Sequence, residues 1–301
     1  NNNEDGDKKP QPLRFVPARM PGPTFDTSSW SPLTLFQLFF SPSVLRALIA
    51  NTNANAARRL RAGKFVCKEL TVEDFYIFMA IIIFTSLLTS DYWRKSWPYN
   101  FSFPGDKMTQ CRFEAVLWSL HLSNPQEDEE NEKNTANYDR LFKIKPLYTE
   151  IVTTFQAHFQ PHQKISIDER MVAKARNSMK QYQKDKPTKW GYKLFILGDS
   201  STGYTWNFFI YTGKSVSTTG QDFSSLGKGY TLYIDNFYTS STLFKDLCAK
   251  NIGCCGIIRK NRVGFPQTNN NDLPKKAGEM YTEERNLLFV KWMDTMMLTL
   301  C

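Results

Sequence analysis

At Lys164 the spacing of apolar residues changes, and the change divides this 301-residue chain into two kinds of structure. Upstream, Pro32 to Phe40, Ser41 to Arg61, the run from Phe75, Met108 to Leu122 and Pro146 to His158 repeat apolar residues every three to four positions, as one face of a helix requires. Downstream, Ile165 to Val172, Tyr192 to Leu197, Tyr204 to Tyr211, Tyr230 to Ile234 and Gly256 to Arg259 are β-branched or alternating runs, which read as strands. A helical region followed by a sheet predicts an α+β fold.

Turn chemistry orders part of that sheet. Asp199-Ser200-Ser201-Thr202-Gly203 sits between the second and third runs, so those strands are expected as antiparallel neighbours. A short helix, Ser241 to Lys250, lies between the fourth and fifth runs and is closed by Asn251-Ile252-Gly253. Strand, crossover helix and strand make a parallel pair, and the sheet is therefore mixed. After Gly264 the chain turns irregular before short strands near Leu287 to Val290 and Met296 to Leu300, which read as a separate small element.

A formal charge of +9 favours polyanionic partners such as nucleic acid. The six cysteines form no CxxC pair and no metal spacing with the three histidines, which fits a reducing compartment. Phe75 to Leu88 is shorter than the roughly 20 residues that span a bilayer and follows the cap-like Thr71-Val72-Glu73-Asp74, so it reads as a buried core helix with no membrane partner. The polar, proline-bearing N-terminus lacks a secretory signal and reads as flexible over residues 1–30. Gln126 to Asn137, acidic and free of apolar residues, reads as a solvated loop.

Two acids stand out in the strand region. Asp168 interrupts Ile165-Ser166-Ile167, a run otherwise built for burial, although strands disfavour aspartate. Asp235 ends Leu232-Tyr233-Ile234, where it caps the following helix or serves as a ligand. Carboxylates brought together on neighbouring strands repel one another unless a cation lies between them. Magnesium suits hard oxygen ligands and the positions left for water and phosphate in phosphodiester chemistry. Asp199 reads as a turn cap rather than a ligand, and Glu169 falls on the opposite strand face from Asp168.

These motifs together resemble the piggyBac transposase family. The resemblance rests on Ser166-Ile167-Asp168-Glu169, on Lys186-Pro187-Thr188-Lys189-Trp190-Gly191-Tyr192-Lys193 and on Asp199 to Tyr204. It continues in Tyr233-Ile234-Asp235-Asn236-Phe237-Tyr238-Thr239-Ser240 and in Gly256 to Arg262, and Asp91-Tyr92-Trp93 and Asp139 to Pro146 fit upstream. It thus covers about residues 30 to 300 in order.

The resemblance implies a ribonuclease-H-like core over residues 164–264, preceded by a helical dimerisation and DNA-binding region over 31–163 and followed by the start of a β insertion domain over 265–301. Also implied are cut-and-paste transposition at TTAA targets by a nuclear homodimer acting on double-stranded DNA, with Mg2+ or Mn2+ held by the catalytic acids Asp168 and Asp235. Lys186, Lys189, Lys193, Arg259, Lys260 and Arg262 then read as phosphate contacts beside the site, against an ordinary solvated surface. Trp190 stacks on a base or packs against the core. The family's third aspartate, in a Gly-Val-Asp motif beyond the insertion, is not met before Cys301, and Asp294 reads as a turn residue. On that expectation the 301 residues bind metal weakly and do not cleave DNA; the alternative is a domesticated, inactive DNA-binding protein.

Overall fold

The computed structural model describes residues 13–61, 68–85, 90–93, 101–131, 138–173, 179–184, 186–213, 223–259, 262–263, 278–282, 287–293 and 297–300. The chain divides into a unit of residues 29–154 and a unit formed by residues 1–28 with 155–301.

Helices build the first unit: α1 (Pro32–Phe39), α2 (Pro42–Arg61), α3 (Val72–Thr85), α4 (Ser102–Lys107), α5 (Gln110–Ser119), the single turn α6 (Glu127–Glu130) and α7 (Lys145–His158), whose last turn belongs to the second unit. The start signal read at Thr71 is present, and Ser31 supplies another. Ser31 accepts the Thr34 amide at 3.1 Å and Thr71 the Asp74 amide at 3.1 Å, satisfying donors that the first turn of a helix leaves free. Leu45 and Leu48 of α2 interlock with Phe75, Phe78 and Ile81 of α3 and with Phe113 and Val116 of α5. Such side chains are worth about 1.5–3 kcal/mol each when buried. As expected, α3 is a core helix, and among the described residues no single helix is long and apolar enough to cross a membrane. Of the acidic stretch, residues 132–137 lie outside the described residues, and within 126–131 one residue departs from a solvated loop. Asp128 in α6 is nearly buried and accepts the Ser123 hydroxyl at 2.6 Å, with the His121 ring at the same distance, so local partners replace water.

The second unit is a sheet with helices. In chain order its strands are β1 (Val16–Pro17), β2 (Gly22–Pro23), β3 (Phe159–Gln160), β4 (Lys164–Val172), β5 (Gln181–Tyr182), β6 (Trp190–Asp199), β7 (Thr205–Ile210), β8 (Gly227–Lys228), β9 (Thr231–Ile234) and β10 (Gly253–Gly256). A three-stranded antiparallel sheet of β11 (Gly278–Thr282), β12 (Leu288–Met293) and β13 (Met297–Leu300) follows. Helix α8 (Ser241–Ala249) joins β9 to β10. The main sheet runs β7-β6-β4-β9-β10, with β5 also on β6; β4, β9 and β10 are parallel and β6 is antiparallel to β4. Its core is Ile165, Ile167, Phe195, Leu197, Trp206, Leu232 and Ile234, covered by Leu243, Phe244 and Leu247 of α8.

The predicted hairpin is present, with Gly203 at φ +74°, a left-handed conformation natural to glycine. Three other expectations change. The last strand of the crossover is Gly253–Gly256 rather than Gly256 to Arg259. Asn251 closes α8 at φ 58°, pairing with β9 begins at once, and Ile258 fills the core from irregular chain. The late strands form a sheet of their own, but not one that stands apart, because Phe289 is wholly buried in the core of the main sheet. Nor are residues 13–28 a loose leader. β1 pairs with β8, β2 with β3, and Arg19 donates to the carbonyls of Gln156 and Ala157 at the end of α7.

Candidate active site

Strand register brings the two acids together. Ile165 pairs with Leu232 and Ile167 with Ile234 on parallel strands, so one residue further Asp168 stands level with Asp235. Alternation takes Asp168 off the apolar face of Ile165 and Ile167, and Asp235 is the first residue beyond β9, at the start of the turn. Adjacent strands lie about 4.8 Å apart. Two ionised carboxylates at that spacing repel by on the order of 1–3 kcal/mol near a surface.

Each acid is steadied by backbone. Asp168 Oδ1 accepts the Glu169 amide at 2.7 Å, and the carboxylate is 71 % exposed. Asp235 Oδ1 accepts the Phe237 amide at 2.7 Å, while its carbonyl accepts the Thr239 hydroxyl at 2.8 Å. The cap of α8 is not Asp235 but Ser240, which accepts the Leu243 amide at 3.2 Å. Asp235 shapes the turn before the helix, and one oxygen of each acid takes no hydrogen bond among the described residues. Two such carboxylates suit a hard divalent ion that keeps waters of its own. Among the described residues no third histidine, cysteine, aspartate or glutamate joins them.

Basic residues surround the pair in ways the sequence does not announce. Lys186 Nζ lies 3.7 Å from Asp168 Oδ1 and 3.9 Å from Glu169 Oε1, so it answers acids of its own chain. Lys193 is not a surface cation: it is 6 % exposed, with its ammonium 4.1 Å from the Phe237 ring centroid and 4.9 Å from that of Phe195. Burial pushes that ammonium down, Glu169, Asp235 and Asp168 act to raise it, and Lys186 adds to the lowering. Arg259 donates to the Asn236 side chain at 2.9 Å and Arg262 to the Phe237 carbonyl, so both brace the turn after Asp235. Lys189 is exposed, and Lys260 and Asp294 lie outside the described residues. Trp190 is 52 % exposed, with Tyr182 and Lys180 against its ring, and does not pack in the core.

Below the acids the interior is polar. Glu169 occupies the face of Ile165 and Ile167, as alternation requires, and its Oε2 is buried without a hydrogen-bond partner. Tyr238 is buried with its hydroxyl likewise unpartnered; burial pushes the phenol up, and Glu169, Asp235 and Asp168 push it further. Alternation puts Glu169 on that face, as expected, and places Lys193 on the buried face with Phe195 and Leu197; the two unpartnered oxygens have no signal in the sequence. Asp199 keeps its turn role, accepting the Ser201 and Thr202 amides at 2.7 and 2.9 Å, and also takes the His162 amide and ring.

Comparison with known proteins places this architecture. Residues 31–301 match the family model described as Transposase IS4. The human PiggyBac transposable element-derived protein 2 is 24% identical over 90% of this chain and 48% of its own length. PiggyBac transposable element-derived protein 5, also human, is 23% identical over 88% of the chain and 55% of its own. The chain therefore spans about half the length of these curated relatives. A cryo-EM structure of a piggyBac transposase synaptic complex with hairpin DNA shares the fold, with a TM-score of 0.77, 21% identity, and coverage of 94% of this chain and 63% of that one. With the family model matched over most of its length, the chain belongs to the Transposase IS4 family, among the piggyBac transposases and the proteins derived from them.

Proposed function

We propose that this chain carries the first part of the catalytic core of a cut-and-paste DNA transposase, with Asp168 and Asp235 as ligands of Mg2+ or Mn2+. The observation that carries this reading is the register of β4 on β9, in which Ile167 pairs with Ile234 and the two acids are the next residues of each chain segment. The strand order β7-β6-β4-β9-β10, antiparallel at β6 and parallel from β4 onward, supports a ribonuclease-H-like core. When bound, the ion supplies charge to activate a nucleophile and stabilise a leaving oxygen at phosphorus. The chain's own residues do the positioning. Glu169 and Phe237 amides orient the carboxylates, while Asn236, braced by Arg259 and Arg262, holds the turn.

The partner in this reading is double-stranded DNA with TTAA targets, bound by a nuclear homodimer; Lys189 and the neighbouring Lys184, both exposed, are its phosphate contacts. A second reading, a transposase-derived DNA-binding protein without cleavage, is favoured by the relatives named transposable element-derived proteins. Excision of a TTAA-flanked donor with Mg2+, by the natural protein and its Asp168→Ala and Asp235→Ala variants, separates the two. Excision abolished by either substitution supports the transposase. A folded protein that binds DNA and excises nothing supports the second reading.

A further inference from the structure

Lys193 lies on the buried face of β6, in a row with Phe195, Leu197 and Asp199 and opposite Met171 of β4. A buried ammonium costs several kcal/mol unless its surroundings answer it. Here the answer comes from two aromatic faces and from the acids of the site. Phe237, the nearer ring at 4.1 Å, is the residue whose amide holds Asp235 Oδ1 at 2.7 Å. The lysine therefore touches the segment that aims Asp235. Glu169, Asp235 and Asp168 all act on its charge, so one ammonium sits within the field of three carboxylates. Glu169 Oε2 and the Tyr238 hydroxyl, both buried and unpartnered, mark the same interior as incompletely satisfied.

We propose that Lys193 is a positioning residue, a fixed counter-charge beneath Asp168 and Asp235 that offsets their repulsion and competes with the divalent ion they bind. The inference rests on the reading of the two aspartates as ion ligands. Its consequence is that the protein holds the ion less tightly than the carboxylates alone would. A cation held in place by Phe195 and Phe237 cannot swing away when the ion arrives, unlike the more exposed Lys186.

The test is titration of the 301-residue chain with Mn2+, following free Mn2+ by electron paramagnetic resonance, for wild type, Lys193→Met and Lys193→Arg. Methionine fills the aromatic slot without charge, so K193M is expected to bind Mn2+ on the order of tenfold more tightly. K193R, with its charge retained, is expected to stay near the wild-type affinity. A folded K193M that binds Mn2+ as wild type does, or more weakly, overturns the proposal. Where K193M does not fold, the wild-type Lys193 side-chain NMR signal, identified by its absence in K193R, is expected to shift on adding Mg2+ over the range that fills the site; an unmoved signal overturns the proposal. Wild type that binds no Mn2+ overturns the underlying reading of the aspartates, a result distinct from failure of the lysine's role.

Discussion

Gly256 passes so close to Thr239 that a Cβ on it would lie 2.4 Å from Thr239 Oγ1, and 2.8 Å from the Ile234 carbonyl. That threonine hydroxyl already donates to the Asp235 carbonyl at 2.8 Å. Strand β10 and the turn bearing Asp235 thus form one tight corner that only glycine permits. We expect Gly256→Ala to cost about 1–3 kcal/mol of stability by overpacking. It should also weaken Mn2+ binding by displacing Asp235. Thermal melts with and without Mn2+ check this, and an unchanged ion-induced rise in Tm would count against the corner's role.

Asp199 ties β6 to the start of β4. Burial pushes its carboxyl up, but the His162 amide and ring and the Thr202 and Ser201 amides outweigh that and hold it below its ordinary value. A carboxylate with a lowered folded value stabilises the protein above the unfolded range near pH 4, and that contribution is lost as pH falls through the folded value. Asp199→Asn is expected to cost about 1–3 kcal/mol at neutral pH. It should also flatten the acid limb of the stability profile. Urea unfolding across that limb provides the measurement; an unaltered slope would contradict the assignment.

Two cations near the site should fail differently. Lys189 is exposed, and Lys189→Ala is expected to weaken duplex binding at all sequences and lower the salt slope by about one unit. Arg259 is bonded to Asn236 beside Asp235, so Arg259→Ala should loosen the turn and lower ion affinity even without DNA. Mn2+ titration and salt-dependent DNA binding, run on both variants, distinguish a phosphate contact from a brace. Equal behaviour of the two would contradict the distinction.

Helices, the hairpin and the crossover were legible because apolar period and turn residues act locally, and Asp168 and Asp235 stood out because acids are rare in buried strands. The level pairing of those acids follows from one long-range register, which no local pattern specifies. Local spacing also misplaced the strand after α8, since Ile257 and Ile258 resemble a strand while Ile258 enters the core from irregular chain. The basic residues differ in a way that charge does not reveal. Charge alone does not tell a phosphate contact from Lys193 inside an aromatic slot, or from Arg262 clamped on the Phe237 carbonyl.

Asp168 and Asp235, as proposed, bind one divalent ion together, which Mn2+ titration of wild type, Asp168→Asn and Asp235→Asn puts to the test. Wild type is expected to bind measurably and either variant at least about tenfold more weakly, because a carboxylate charge is removed without a change of shape. Wild-type affinity in either folded variant would contradict it.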